Sequence, residues 1–111
     1  MKQLLYGLAL MLVPAIASAD YSCEGTVGNL ALNPSGVLTV TVGSIENVYL
    51  CQIGTTRNAV PSDVCKAIFA HLLSAKNTGA LVRFQFSDSL TCTTHPAWSD
   101  LTGWYYGPAS P

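Results

Sequence analysis

The alternation of apolar and polar residues along the chain predicts several β-strands. It is clearest in the stretches GVLTVTVG, residues 36–43, and LVRFQF, residues 81–86. The segment 45–53 is rich in Val, Tyr and Ile and favours another strand, which forms a hairpin with 36–43 across a short Gly-Ser turn. A weaker strand is predicted over 23–32, and the aromatic segment 98–106 is expected to supply a closing strand.

One segment has helical periodicity instead. From Val64 to Ala75, apolar side chains recur at intervals of three and four residues. Ser62 is placed to cap the N-terminus of this helix, Asp63 suits the positive end of the helix dipole, and Gly79 supplies the C-terminal stop. The sequence therefore predicts a mainly β fold with one helix: a small OB-like Greek-key barrel of about five strands, in which the helix follows the third strand. A simple α+β sheet with a covering helix is the alternative.

The N-terminus has the pattern of a secretory signal peptide, residues 1–19. A lysine precedes an apolar stretch, 4–13, and Ala17-Ser18-Ala19 forms a small-residue cleavage signal. The apolar stretch is shorter than the roughly 20 residues that a membrane-spanning helix requires. We therefore expect an exported protein, periplasmic or secreted, whose mature part, residues 20–111, is a single domain that does not insert into a membrane.

Composition and motifs narrow the function further. The chain contains five Lys and Arg residues and six Asp and Glu residues. No basic patch is therefore available to bind phosphates, and nucleic acid is not an expected partner. The acidic residues are scattered singly, no G-x-S-x-G motif occurs, and neither His71 nor His95 has recognisable catalytic partners. We expect no enzymatic activity, no cofactor and no metal.

The four cysteines all lie in the predicted mature part, and they predict disulfides. An even number in a small exported domain is typical of a disulfide framework, whereas a zinc site would show paired ligands at short spacing, of which Cys92-x-x-His95 is the only instance. Four cysteines allow three pairings, and the sequence alone does not choose among them. We prefer Cys51–Cys65 with Cys23–Cys92. The first bond of this pairing joins two cysteines that are neighbours in sequence, and the second joins the first strand to the last third of the chain.

Three stretches resemble a known family. About half of the mature chain, residues 35–83, is similar to the B subunits of the subtilase cytotoxin and typhoid toxin group. The similarity is carried by GSIENVYLCQI, by Cys65, which opens the helix, and by AKNTGALVRFQF. The resemblance implies an exported, disulfide-bonded OB-fold homo-pentamer that binds sialylated glycans. It also implies a Cys51–Cys65 bond and a glycan contact for Ser35, which precedes the first core strand.

The aromatic residues near the C-terminus form a second candidate surface, because aromatic faces stack on sugar rings and anchor protein interfaces. The glycan-binding candidates are Ser35, Trp98, Trp104, Tyr105 and Tyr106. Turn formation by the serine and core packing by the aromatic residues are the alternatives. We expect a non-enzymatic binding or assembly module whose ligand is a sialylated glycan or a partner protein. A secreted inhibitor that presents the loop 54–61, or a structural envelope protein, is the alternative.

The signal peptide predicts the mass of the exported protein. Cleavage after Ala19 leaves Asp20 as the first residue, which intact-mass spectrometry of exported protein will detect. A mass that still includes Met1 would contradict this interpretation.

Overall fold

The structure, a computed structural model, describes residues 20–111, and the predicted signal peptide lies outside the described residues. Five strands and one helix are present: β1 (Tyr21–Leu32), β2 (Val37–Val42), β3 (Ile45–Gln52), α1 (Ser62–Thr78), β4 (Leu81–Phe86) and β5 (Trp104–Ala109). The strands form an antiparallel sheet in the order β3-β2-β1-β4-β5. The helix follows the third strand, so the predicted OB-like order is confirmed.

The segment that precedes β5 brings the two edges of this sheet together. Tyr49 on β3 donates its backbone N–H to the carbonyl of Ser99 at 3.0 Å and accepts from the N–H of Leu101 at 2.9 Å, which makes a parallel bridge. The predicted closing strand over 98–106 is therefore divided. Residues 98–101 pair with β3, and Trp104–Ala109 pairs with β4 as β5.

The long strand β1 belongs to both halves of the barrel. Residues 21–26 pair with β4, whereas residues 27–32 pair with β2, and the register shifts between Val27 and Leu30. At the change of partner, Gly25 passes very close to the β2–β3 turn. A Cβ on Gly25 would lie 2.5 Å from the Cα of Gly43, which itself has a φ of +57°. Two glycines are needed here because the two backbones touch.

Inward-facing strand residues and one face of α1 form the core. The helix contributes Cys65, Ile68, Leu72 and Ala75, which are buried against the open end of the barrel. The largest fully buried side chains of the strands and the closing segment are Phe84, Phe86, Leu38, Ile45, Leu50 and Leu101. Within residues 20–111, no helix has the length and apolarity to cross a membrane.

The two ends of α1 differ from each other in how well the sequence predicts them. Gly79 ends the helix in the left-handed conformation, with a φ of +70°, as predicted. The prediction that Ser62 caps the N-terminus is wrong: Pro61 holds the cap position, and Ser62 is the first helical residue. The Ser62 hydroxyl instead accepts the N–H of Gly54 at 2.7 Å, so it fastens the loop that leads into the helix.

Both predicted disulfides are present, and they confirm the preferred pairing. Cys51–Cys65 joins β3 to the first turn of α1 across 14 residues, and Cys23–Cys92 joins β1 to the segment between β4 and β5 across 69 residues. In the loop-entropy description the first contributes about 3 kcal/mol and the second about 4 kcal/mol. Disulfides of this kind form and persist in an oxidising compartment.

The contact between Gly25 and Gly43 predicts a difference between two glycines of β1. We expect Gly25→Ala to lower the free energy of unfolding by about 1–3 kcal/mol, since the new Cβ must displace backbone. Gly28→Ala is the matched control, because the nearest atoms to its Cβ would all belong to Thr41, at 3.4 Å or more, and we expect a change within about 0.5 kcal/mol. Urea unfolding measures both; equal destabilisation by the two substitutions would contradict the close approach.

Candidate functional site

The structure places the five predicted binding residues in three separate regions. Ser35 lies in the turn between β1 and β2, Trp98 lies in the segment that pairs with the start of β3, and Trp104, Tyr105 and Tyr106 begin β5. The predicted candidates therefore lie on three different elements of the fold.

Ser35 is a turn residue that lies beside the C-terminal end of β3. The side-chain oxygen of Asn33 accepts the backbone N–H groups of Ser35 and Val37, each at 2.9 Å, and Gln52 donates to the Ser35 carbonyl at 3.0 Å. Gln52 and Asn47 are five residues apart along β3, or about 16 Å at roughly 3.3 Å per residue. Ser35 and Trp98 thus lie near opposite ends of the strand, and turn formation accounts for Ser35.

The three aromatic residues of β5 divide between the core and the surface. Trp104 packs edge-on against Phe84, with ring centroids 5.5 Å apart, and its indole N–H donates to the Leu101 carbonyl at 2.9 Å. Tyr105 and Tyr106 are 58% and 59% exposed and line a shallow surface groove. Core packing therefore accounts for Trp104, while the tyrosines remain accessible.

Trp98 combines high exposure with an unusual backbone conformation. It is 62% exposed and has a φ of +59°, in the left-handed region that bulky residues rarely adopt. Its backbone N–H donates to the carbonyl of Asn47 at 2.7 Å, and Asn47 also has a positive φ, of 48°. Backbone pairing to β3 therefore holds a large aromatic side chain in solvent at a defined position.

Polar side chains from β1, β2 and β3 meet beside Trp98. Asn47 accepts hydrogen bonds through its side-chain oxygen from Asn29 at 3.0 Å and from the Thr41 hydroxyl at 3.4 Å, and its backbone N–H donates to Thr41 Oγ1 at 2.9 Å. We call Asn29, Thr41, Asn47 and Trp98 the Trp98 patch. The sequence pattern indicated only Trp98 of this patch. The three polar residues are brought together by bulges in β1 and between β2 and β3, and such bulges are not visible in the strand pattern.

The segment 87–103, which carries Trp98, is held against the start of β1 by a side-chain cluster. Tyr21 donates its hydroxyl proton to Asp88 Oδ1 at 2.5 Å, and His95 Nε2 lies 2.9 Å from the same phenol oxygen. The Tyr21 ring stacks on Phe86 at 4.9 Å. Because the phenol proton is directed to Asp88, the His95 Nε2 atom must be protonated and donate to the phenol oxygen.

These contacts shift the pKa values of two groups. Burial, reinforced by the hydrogen bond to Asp88 and by its charge, raises the pKa of Tyr21 well above its ordinary value of 10. Burial lowers the pKa of His95 below 6.5, and the Asp88 charge opposes that change. Both shifts favour the neutral forms of Tyr21 and His95. In these forms the hydrogen bonds of the cluster hold the segment 87–103 against β1.

Two further bonds complete this fastening. Cys92 is joined to Cys23, and the Ser44 hydroxyl donates to the Cys92 carbonyl at 2.7 Å.

Residues 20–111 contain no group of three or more His, Cys, Asp or Glu side chains placed to hold a metal ion.

The loop 54–61, the candidate inhibitory loop, folds back on the barrel. Arg57 and Val60 exchange backbone hydrogen bonds at 3.1 and 2.9 Å, and the Asn58 side chain donates to the Leu101 carbonyl at 2.6 Å. Arg57 forms an ion pair with Asp100 at 2.9 Å. The loop is thus attached at its tip as well as at its disulfide-bonded ends.

The Tyr21 cluster predicts a specific pH dependence. We expect Tyr21→Phe to keep the ring stack but to lower the free energy of unfolding at neutral pH by about 1–3 kcal/mol, because Asp88 loses a donor. Since the folded-state pKa of Tyr21 is raised, the unfolded chain releases the phenol proton first, and wild-type stability falls as pH rises above about 10. That fall should be smaller in the variant. Denaturant unfolding between neutral pH and pH 11 measures it, and identical pH slopes would contradict the assignment.

Comparisons with known proteins leave the geometry as the main guide to function. No protein-family model, no curated protein and no solved structure matches this chain. The similarity to the toxin B subunits, carried by the motifs quoted above, stays a prediction.

Proposed function

We propose that this protein is an exported, non-enzymatic binding module whose ligand is a glycan, bound at the Trp98 patch. The observation that carries the proposal is the exposed Trp98, held by β3 beside a group of amide and hydroxyl side chains. An indole face packs against the C–H groups of a sugar ring, while amides and hydroxyls exchange hydrogen bonds with sugar hydroxyls.

The backbone conformation of Trp98 supports a role in binding over an incidental exposure. A left-handed φ at a bulky residue costs roughly 1–3 kcal/mol and persists only where the surroundings impose it. Here the imposed conformation keeps a large apolar side chain in water, which does not stabilise the fold. A backbone held in this way also loses little conformational entropy when a ligand binds, and this increases affinity.

The oxidising compartment indicated by the two disulfides agrees with an exported protein. Export, a sialylated ligand and a homo-pentamer are what the signal pattern and the toxin resemblance predict. Light scattering of the oxidised protein tests the pentamer directly.

The contacts of the loop 54–61 favour a glycan ligand over the alternative of a secreted inhibitor. An inhibitor presents a protruding loop to its target, whereas this loop turns Asn58 inward to the Leu50 and Leu101 carbonyls and engages Arg57 with Asp100. The segment therefore supports the barrel.

A glycan array on the oxidised protein tests the proposal. We expect the wild type to bind, and we expect Trp98→Ala to weaken binding about tenfold or more, because loss of an aromatic anchor in a binding site typically costs upwards of 1 kcal/mol.

Tyr106→Ala is the matched control, since Tyr106 is exposed to nearly the same extent as Trp98 but lies on β5. Ser35→Ala tests the contact that the toxin resemblance implies. Absence of binding to every glycan would contradict the proposal, and a loss with Tyr106→Ala alone would place the site on β5.

A further inference from the structure

We infer that the Trp98 patch recognises a neutral sugar residue through two adjacent hydroxyl groups, with the Asn47 side chain donating to one and the Asn29 side chain accepting from the other. This inference rests on the proposed glycan-binding function, and it specifies the chemistry of the sugar that occupies the site.

The hydrogen bonds of the two asparagine side chains leave one NH₂ group and one oxygen unused. The side-chain oxygen of Asn47 is occupied by Asn29 and Thr41, and both of its backbone polar groups are paired. Among residues 20–111, nothing pairs with the Asn47 side-chain NH₂ or with the side-chain oxygen of Asn29. An amide has two donors and an acceptor with two lone pairs, so this capacity is directed to solvent or to a ligand.

The two unused groups are positioned relative to each other. Asn29 Nδ2 and Asn47 Oδ1 are 3.0 Å apart, and the Thr41 hydroxyl holds Asn47 from the strand between them. The donor on Asn47 and the acceptor on Asn29 therefore lie on neighbouring amides whose orientations are fixed. Each sugar hydroxyl can both donate and accept, so a pair on adjacent carbons satisfies this arrangement with one bond in each direction.

Trp98 supplies the apolar side of the same subsite. Its N–H bond to the Asn47 carbonyl at 2.7 Å makes the tryptophan and the asparagine direct neighbours. Sugar rings present hydroxyl groups at the rim and C–H groups on the face, and a site that combines an aromatic surface with rigid amides matches both. The backbone of Trp98 thus adjoins the residue whose side chain pairs with Asn29.

The uncharged side chains of the patch favour a neutral sugar over an acidic one. A carboxylate is bound best by Arg, Lys or several convergent N–H groups, and the side chains of the patch are all uncharged. Arg57 is paired with Asp100 at 2.9 Å, and Glu46, the residue before Asn47, adds an exposed negative charge. A positive charge does lie on the neighbouring part of β1, where the ammonium group of Lys76 donates to the carbonyl of Gly28. The test therefore includes Lys76→Gln.

The test compares two glycan classes and two isosteric substitutions on the full, oxidised protein. The probes are glycans that end in galactose, glucose or mannose, and glycans that end in N-acetylneuraminic acid. Asn47→Asp keeps the oxygen that Asn29 and Thr41 use but replaces the unused donor with an acceptor. Gln85→Glu is the matched control, because it makes the same change on β4 and keeps the oxygen that accepts from Ser22 at 2.6 Å.

We expect neutral glycans to bind, Asn47→Asp to weaken that binding tenfold or more without lowering the melting temperature, and Gln85→Glu to leave it unchanged. Binding of sialylated glycans alone, or neutral binding that Asn47→Asp does not alter, would overturn this inference and leave the glycan-binding function standing. A loss of binding in Lys76→Gln with retention in Asn47→Asp would also overturn it, since the ligand would then be held by charge. If no glycan of either class binds, the proposed function fails as well.

Discussion

The pairing of β1 with two different strands is the constraint on which the rest of this structure depends. The first half of β1 pairs with β4 and the second half with β2, so one strand joins the hairpin β2–β3 to the C-terminal half of the chain. The change of partner requires the β1 backbone to pass against the β2–β3 turn, where Gly25 and Gly43 leave no room for a Cβ. Neither half of β1 could be moved without breaking its pairing with β4 or with β2.

Both halves of β1 also contribute to the candidate site, in different ways. The first half holds the segment 87–103 through the Cys23–Cys92 disulfide and through the hydrogen bonds of Tyr21. The second half places Asn29 within 3.0 Å of Asn47. Trp98 therefore lies in a segment held by one end of β1, and its neighbour Asn47 contacts a residue from the other end.

The local pattern of apolar and polar residues was sufficient to predict most of the fold. Alternation in GVLTVTVG and LVRFQF reflects one face against the core and one toward solvent, a property that each strand shows without its partners. Gly79 ended the helix as predicted, because a left-handed cap favours glycine wherever it occurs. Ser62 did not act as a cap because a competing partner, Gly54 N–H, lies 2.7 Å from its hydroxyl in the folded chain, and no local pattern describes that partner.

The sequence by itself determined the order of the elements and the disulfide chemistry, because these follow from periodicity, turn residues and cysteine content. Only the tertiary structure decided which candidates share a surface. It placed Trp104 partly buried against the core, Ser35 at the C-terminal end of β3, and Trp98 beside Asn47. The physical reason is that the site is assembled by strand register and bulges, which set the distances between residues remote in sequence and leave no mark in the alternation of side chains.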